Sequence, residues 1–232
     1  GRRAFLGGAI AASAAVVMVH VGSPGGFAGL TADYRTEVGE QRQVLLSGGV
    51  SLELNTQTRV SRVGQGLELL EGEVEVIAHS AQPLKMLAGE GSVSAAQARF
   101  NLRNTDRTVC VTCIEGWLSV DVAGNSVSLG SGRQLTYGSA GVSEVITVDT
   151  QAVVAWREQV LVFNNASLSE VVEEVSRYRE KPLTVSNDKI GQLRLTSVFK
   201  SDNTEALLKA LPNILPVAVR THADGSQEII SK

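Results

Sequence analysis

Short apolar runs separated by turn signals fill the chain from Tyr34 to about Ser143. The turn signals are Ser47-Gly48-Gly49, Gly64-Gln65-Gly66, Gly89-Glu90-Gly91, Ala123-Gly124-Asn125 and Gly130-Ser131-Gly132. The runs between them are rich in Val and Leu and too short for helices of ordinary length. This spacing predicts an all-β domain.

The charge balance excludes one large class of function. The chain has 21 basic and 24 acidic residues in 232, a net charge of −3. Beyond Arg2-Arg3 there is no run of clustered Lys or Arg. The sequence therefore lacks the basic patch of a nucleic-acid-binding protein. Aromatic residues make up only 4%, which favours strands over large aromatic-lined pockets.

The N-terminal residues predict a membrane segment. Arg2-Arg3 precede a stretch from Ala4 to Val19 in which no residue carries a formal charge. An arginine at the bilayer centre costs roughly 2.5–3.5 kcal/mol, so the pair stays on the cytoplasmic side. We expect residues 1–21 to be a single-pass inner-membrane anchor or a twin-arginine-type signal. Residues 22–32, rich in Gly and Pro, predict a linker, and most of the chain would lie in the periplasm.

The pattern changes from β to mixed beyond Asp149. Ser167 and Glu170 have the spacing of a capping box, followed by apolar residues at helical spacing: Leu168, Val171, Val172, Val175 and Tyr178. This helix should end before Pro182. A second helix is predicted with Asp202 as N-cap and an end before Pro212.

Strand signals flank both helices. The predicted strands are Val160–Phe163, Leu183–Val185, Leu193–Phe199, Val217–Thr221 and Gln227–Ile230. Asp224-Gly225 joins the last two as a tight hairpin. The sequence thus predicts an all-β domain at 33–148, and a small α+β domain of order βαββαββ at 149–232.

Three carboxylates, Glu71, Glu73 and Glu75, share one face of a predicted strand. Such a row could bind a metal or serve acid/base catalysis, but no histidine or further acidic cluster completes a site. A strand with one solvated face gives the same pattern. We therefore expect all three side chains to face solvent.

Cys110 and Cys113 form the one reactive-looking motif, C-x-x-C. A redox pair, a structural disulfide and two separate thiols are the alternatives. The Val-rich context predicts a strand, where no helix dipole lowers a thiol pKa. Positions i and i+3 of a regular strand point to opposite faces, so a bridge would need a bulge. Two separate thiols are favoured, with the disulfide as the alternative.

No catalytic constellation is evident. The three histidines, His20, His79 and His222, are far apart in the chain, and no nucleophile elbow or phosphate-binding glycine loop is present. The sequence predicts a protein that is not an enzyme and carries no metal or cofactor.

Two ordered sets of short motifs resemble the FecR family, the ferric-citrate-regulator type of anti-sigma factor. The first set is Tyr34–Arg42, Leu52–Thr56, Leu69–Val74, Arg99–Arg103 and Ile114–Gly116. The second is Ala155–Arg157, Leu161–Asn165, Arg177–Arg179 and Leu193–Phe199. The resemblance covers about Asp33 to the end.

The resemblance implies a role in cell-surface signalling. Such proteins hold an extracytoplasmic-function sigma factor through a cytoplasmic domain, which here would lie before Gly1. Their periplasmic part reads the N-terminal signalling domain of a TonB-dependent outer-membrane transporter, often for iron or siderophore uptake. The C-terminal domain would resemble the secretin/TonB short N-terminal (STN) domain. An exported secretin-like structural or envelope assembly module, without signalling, is the alternative.

One departure from the family concerns self-cleavage. Members that cut themselves carry Gly-Thr where this chain has Gln97-Ala98. The hydroxyl at the second position attacks the preceding carbonyl, and alanine has none. We expect no self-cleavage here.

Binding to a partner would use exposed sheet edges, where a partner strand can add. We expect these edges in the strand Leu193–Phe199 and in the terminal hairpin Val217–Ile230. The candidate contact residues are Leu193, Leu195, Thr196, Val198, Phe199, Val217, Val219 and Ile229.

Overall fold

The computed structural model of the protein describes residues 32–105 and 108–232 and is mainly β. The predicted anchor at 1–21 and residues 22–31 of the predicted linker lie outside this part of the chain. The first eleven strands form one antiparallel sheet. They are β1 (Tyr34–Arg35), β2 (Arg42–Leu46), β3 (Val50–Leu54), β4 (Arg59–Val63), β5 (Gly66–Ala88), β6 (Gly91–Asn104), β7 (Thr108–Val122), β8 (Asn125–Gly130), β9 (Arg133–Gly138), β10 (Gly141–Val142) and β11 (Ile146–Thr147).

Three of these strands are far longer than the sequence pattern suggests. β5 has 23 residues, β6 has 14 and β7 has 15. Register shifts interrupt the β5–β6 and β6–β7 ladders. Such shifts allow the long strands to bend along their length. β5 pairs with β4 along its first part and with β3 further on, and β7 pairs with both β9 and β8.

The inner face of this bent sheet encloses one apolar core. Phe100, Met86 and Tyr137 are among its largest fully buried side chains. The Tyr137 hydroxyl donates to the carbonyl of Ala88 at 2.9 Å, which satisfies its polar group inside the core. We call residues 32–148 with this core the N-terminal unit.

The rest of the chain forms a C-terminal unit with a separate apolar core. Its elements are α1 (Thr150–Val153), a 3-10 helix (Ala155–Glu158), β12 (Val160–Ser167), α2 (Leu168–Ser176), β13 (Leu183–Val185), α3 (Asp188–Gly191), β14 (Arg194–Lys200), α4 (Thr204–Ile214), β15 (Val217–Thr221) and β16 (Gln227–Ser231). β12 and β14 form one antiparallel sheet. β16 lies between β13 and β15 in a second sheet, parallel to β13 and antiparallel to β15.

The structure confirms the predicted N-terminal cap of α2, whereas the predicted cap and end of α4 are wrong. The capping box is confirmed: Ser167 accepts from the Glu170 backbone N, and Glu170 accepts from the Ser167 backbone N. At α4 the N-cap is Asn203 and not Asp202, since the Asn203 side chain accepts from the Ala206 N.

α4 also continues through Pro212 to Ile214. Leu211 is fully buried, and its carbonyl accepts from Leu215 N at 2.8 Å. Burial of the apolar face therefore outweighs the one hydrogen bond that Pro212 cannot donate.

Among residues 32–105 and 108–232, no helix is both long enough and apolar enough to cross a bilayer.

Gly72 should be the least replaceable glycine of the acidic strand. Its φ is +91°, and a Cβ there would lie 2.5 Å from Thr58 Cα. Gly39 is a matched control, since its φ is +75° and a Cβ would meet nothing within 4 Å. We expect Gly72→Ala to lower the free energy of unfolding by about 2–4 kcal/mol and Gly39→Ala by about 1 kcal/mol. Denaturant unfolding measures both, and equal losses would contradict the close approach.

Candidate functional site

The face of β5 that carries Glu73 and Glu75 is covered by the C-terminal unit. The sequence pattern predicted a solvated face. In the structure Glu73 is 5% exposed and Glu75 is fully buried, whereas Glu71 alone remains exposed, beside Arg59. We call the contact region between the two units the seam.

Glu73 is the centre of the seam. Its carboxylate accepts from Asn55 Nδ2 at 2.9 Å, from Asn101 Nδ2 at 2.9 Å and from Arg177 Nη1 at 2.8 Å. Burial by itself would raise the pKa of Glu73. The charges of Arg177 and Arg103 and the hydrogen bonds outweigh burial and lower the pKa, so the side chain is ionised at neutral pH.

Arg177 supplies the matching charge from the end of α2. Burial would lower its pKa, but the charges of Glu174 and Glu73 overcome this and raise the pKa. Within the described residues Arg177 Nη2 has no hydrogen-bond partner. Glu174 also contacts Arg103 Nη1 at 2.6 Å, so acids and bases alternate across the seam.

Glu75 forms a second buried charge cluster. Arg99 donates to Glu75 Oε1, and Arg157 Nε lies 2.9 Å from Oε2. The Arg157 N–H does not point at this oxygen, which accepts no hydrogen bond from the described residues. The Arg157 contact is therefore an ion pair, whereas the Arg99 contact is also a hydrogen bond.

Neutral hydrogen bonds complete the seam. Thr56 Oγ1 and Gln57 Nε2 donate to the carbonyl of Arg177 at 2.9 and 2.7 Å. Asn55 Nδ2 donates to the Tyr178 hydroxyl at 2.8 Å. Trp156, which is buried, donates from Nε1 to Asn101 Oδ1 at 3.4 Å.

These contacts bring together the motifs that the sequence showed only as separate pieces. Asn55, Glu73, Arg99, Asn101 and Arg103 come from the first set of FecR-like motifs, and Trp156, Arg157, Arg177 and Tyr178 come from the second. The sequence contained one indication of this contact, because the acidic strand and several arginines carry opposite charges. Nothing local to the strand indicated that the C-terminal unit would cover it.

A groove of about 440 Å³ runs beside the seam. One wall is the outer face of β6, β7 and β9, and the other consists of β12 and α2, with residues of α1 and the 3-10 helix also in the lining. The lining includes Arg103, Thr105, Thr108, Cys110, Thr112, Gln134 and Thr136 on the first wall, and Val160, Leu161, Val162, Phe163, Glu170, Glu173 and Glu174 on the second.

Cys110 and Cys113 are free thiols on opposite faces of β7. Cys110 lines the groove, whereas Cys113 belongs to the core of the N-terminal unit. Burial raises the pKa of Cys110 and raises that of Cys113 to about 11. Both thiols are therefore protonated at neutral pH, which leaves them poor nucleophiles.

The predicted partner-binding residues fall into two groups. Leu195, Val217 and Ile229 are buried in the core of the C-terminal unit, and Leu193, Phe199 and Val219 pack against it. Thr196 and Val198 are exposed on β14, with Val198 at 63%.

The terminal hairpin was wrongly expected to offer an edge at Ile229. β16 lies between two strands, so its backbone groups face neighbours on both sides. β14 pairs only with β12 in the described chain and fits the expectation better.

The two histidines in the described part of the chain do not form a site. His79 lies 3.3 Å from Gln97 Oε1, His222 lies 3.5 Å from Glu228, and His20 is outside the described residues. No group of three or more His, Cys, Asp or Glu side chains in residues 32–105 and 108–232 could hold a metal ion.

Glu73→Gln should open the seam, because it leaves Arg177 buried beside one fewer negative charge. We expect a loss of about 3–5 kcal/mol in unfolding free energy. The chain has two tryptophans, and Trp117 is 70% exposed. In a Trp117→Phe background the emission maximum of Trp156 therefore reports the seam alone, and it should move to longer wavelength.

Glu71→Gln on the same strand is the control. Its pair with Arg59 has 49% of each side chain exposed, so the loss should stay below about 1 kcal/mol. Because the pKa of Glu73 is lowered, its stabilising effect is present above the ordinary glutamate range and is lost as pH falls towards the lowered pKa. Acid should thus mimic Glu73→Gln, and unchanged Trp156 emission in both cases would contradict the assigned role.

Comparisons with known proteins agree with this arrangement. Two crystal structures, at 2.50 and 1.65 Å resolution, described as a "putative anti-sigma factor" from Parabacteroides distasonis ATCC 8503, share the fold with TM-scores of 0.74 and 0.75. Each is 20% identical to this chain and covers 86% of it and 98% of its own length. Among curated proteins, none matches this chain significantly in sequence.

Family models match both units. The model described as FecR protein matches residues 32–119, and the model described as FecR, C-terminal matches residues 160–230. The two matches stand in the same order as the motifs and together cover more than half of the chain. The chain belongs to the FecR family.

Proposed function

We propose that this chain is the sensing part of an inner-membrane anti-sigma regulator in cell-surface signalling. Membership in the FecR family supports the regulator role, and the similar crystal structures described as an anti-sigma factor support it further. A cytoplasmic domain before Gly1 would hold the extracytoplasmic-function sigma factor.

The observation that carries the proposal is that the residues of both FecR matches meet in one buried charge network. Glu73 lies in the first matched region and Arg177 in the second, and their atoms are 2.8 Å apart. The C-terminal unit is thus connected directly to the sheet that follows the predicted membrane anchor. An event at the C-terminal unit can reach the N-terminal unit through the seam, and from there lead to proteolysis near the anchor.

The partner in this proposal is the N-terminal signalling domain of a TonB-dependent transporter, of the kind that imports iron or siderophores. The small two-stranded sheet of β12 and β14 supports it, because this sheet has open edges in the described chain. Open edges accept strands from partners. The predicted periplasmic location supplies the compartment in which the two proteins would meet.

Binding to a transporter domain is the direct test. The full chain should form a one-to-one complex with the signalling domain of a TonB-dependent transporter encoded beside its gene, measured by calorimetry and sedimentation. The same transporter without its signalling domain is the control and should not bind. Lack of binding, or assembly of the chain alone into rings, would favour the structural module over the regulator.

Self-cleavage should be absent. Gln97 and Ala98 lie inside β6, and Ala98 is buried with no hydroxyl to attack the Gln97 carbonyl. Mass spectrometry of the purified chain should show an unbroken bond between these residues after prolonged incubation. A fragment that begins at Ala98 would contradict this prediction.

A further inference from the structure

β12 has one open edge, and the hydrogen-bond pattern shows which residues face it. Ser201 N donates to the Gln159 carbonyl at 2.9 Å, so 159 and 201 form a hydrogen-bonded pair. Bonded and non-bonded pairs alternate along an antiparallel ladder. Leu161 and Phe163 therefore bond to β14, whereas the backbone groups of Val160 and Val162 point away from it.

These outward groups face the groove beside the seam. Four successive residues, Val160 to Phe163, line the groove. Successive side chains of a strand point to opposite faces, so a surface that touches all four must run along the edge of the strand. In the described ranges no hydrogen bond reaches the backbone N–H or C=O of Val160 or Val162.

The opposite wall suits an extended polypeptide. It is the outer face of a sheet, and several lining side chains that are not buried carry hydroxyl or amide groups: Thr105, Thr108, Gln134 and Thr136. Such side chains can hydrogen-bond to a strand that lies over them, and they leave a surface without bulky obstruction.

The charge of the groove favours a cationic occupant. Of the described side chains that line it, four are carboxylates and one, Arg103, is a base. Glu170 and Glu173 are largely exposed at the wall formed by α2, and their ion pairs are long, 3.9 Å to Arg194 and 3.8 Å to Arg103. The hydrogen bonds from Ser167 lower the pKa of Glu170, so it is ionised at neutral pH.

We propose that the groove binds an extended segment of a partner protein, rich in Lys or Arg, which adds as a strand to the open edge of β12. This deepens the proposed function and rests on it only in naming a transporter signalling domain as the source of the segment. The backbone of Val160 and Val162 would provide affinity, and the carboxylates of α2 would select positive charge.

A peptide probe tests the groove without any transporter. A hexapeptide of alternating lysine and valine, titrated into the isotope-labelled full chain, should shift the amide resonances of Val160 and Val162. The alternating glutamate and valine hexapeptide is the matched control and should bind at least tenfold more weakly. Affinity for the lysine peptide should fall with added salt, because exposed charges are screened.

Two proline variants compare the open edges of the same sheet. Val162 and Val198 are cross-strand neighbours in a non-bonded pair, so each N–H points to the open edge of its own strand. Proline is tolerated at such positions of edge strands because no ladder bond is lost. Val162→Pro should weaken lysine-peptide binding at least tenfold, whereas Val198→Pro should change it less than about twofold.

Circular dichroism and, in the Trp117→Phe background, the Trp156 emission maximum verify that both variants are folded. If Val162→Pro does not fold, Glu173→Lys replaces it, since this side chain is 65% exposed and its reversal should also weaken binding at least threefold. Weaker binding after Val198→Pro alone would move the site to β14. No shift at Val160 and Val162 with the lysine peptide would overturn the groove site, whereas failure of the transporter domain alone to bind would contradict only the proposed partner.

Discussion

The contact between Glu73 and Arg177 determines how the two units of this protein are held together. Both side chains are mostly removed from water, and the desolvation of such ions costs several kcal/mol each unless partners replace the water. Here Asn55 and Asn101 donate to the carboxylate, and Glu174 lies beside the guanidinium. These partners lie in the same unit as the ion they contact, so among these contacts the one between Glu73 and Arg177 joins opposite charges across the two units.

A seam made of ions and amides differs in kind from an apolar interface. The two cores are separate clusters, and most hydrogen bonds between the units involve charged or amide side chains. Separating apolar surfaces in water costs free energy, whereas separated ions regain hydration. Polar interfaces between domains are accordingly the ones that permit relative motion. The seam is thus specific in its closed geometry, and its polar character suits the proposed sensing role.

The sequence indicated local structure well wherever the cause was local. Turn glycines predicted the limits of the strands, and Ser167 with Glu170 predicted the start of α2, because these signals act over a few residues. The length of β5 was not predictable in the same way, since its bends depend on register shifts against β6. Asn203 rather than Asp202 caps α4 because the backbone geometry at the first turn selects between two adjacent polar residues.

The candidate site was harder to foresee because its causes are tertiary. Alternation along β5 placed Glu73 and Glu75 on one face correctly, but alternation cannot distinguish water from another unit on that face. Ile229 was expected at an edge for a related reason, as hairpin signals identify β15 and β16 without showing that β13 pairs on the other side. Both errors concern what covers a strand, and neither concerns the strand itself.

Glu174 connects the seam to the groove. It pairs with Arg177 and Arg103 inside the seam, and it also forms part of the groove wall. A cation that enters the groove competes with Arg103 for this carboxylate, and if Glu174 turns to that cation, the partly buried guanidinium of Arg103 loses its ion pair across the seam. The same charge that attracts an occupant therefore helps to hold the units together. Occupation of the groove and closure of the seam both use the Glu174 carboxylate. A cation that draws Glu174 away therefore weakens the seam. By thermodynamic linkage, the closed seam weakens binding of that cation by the same factor.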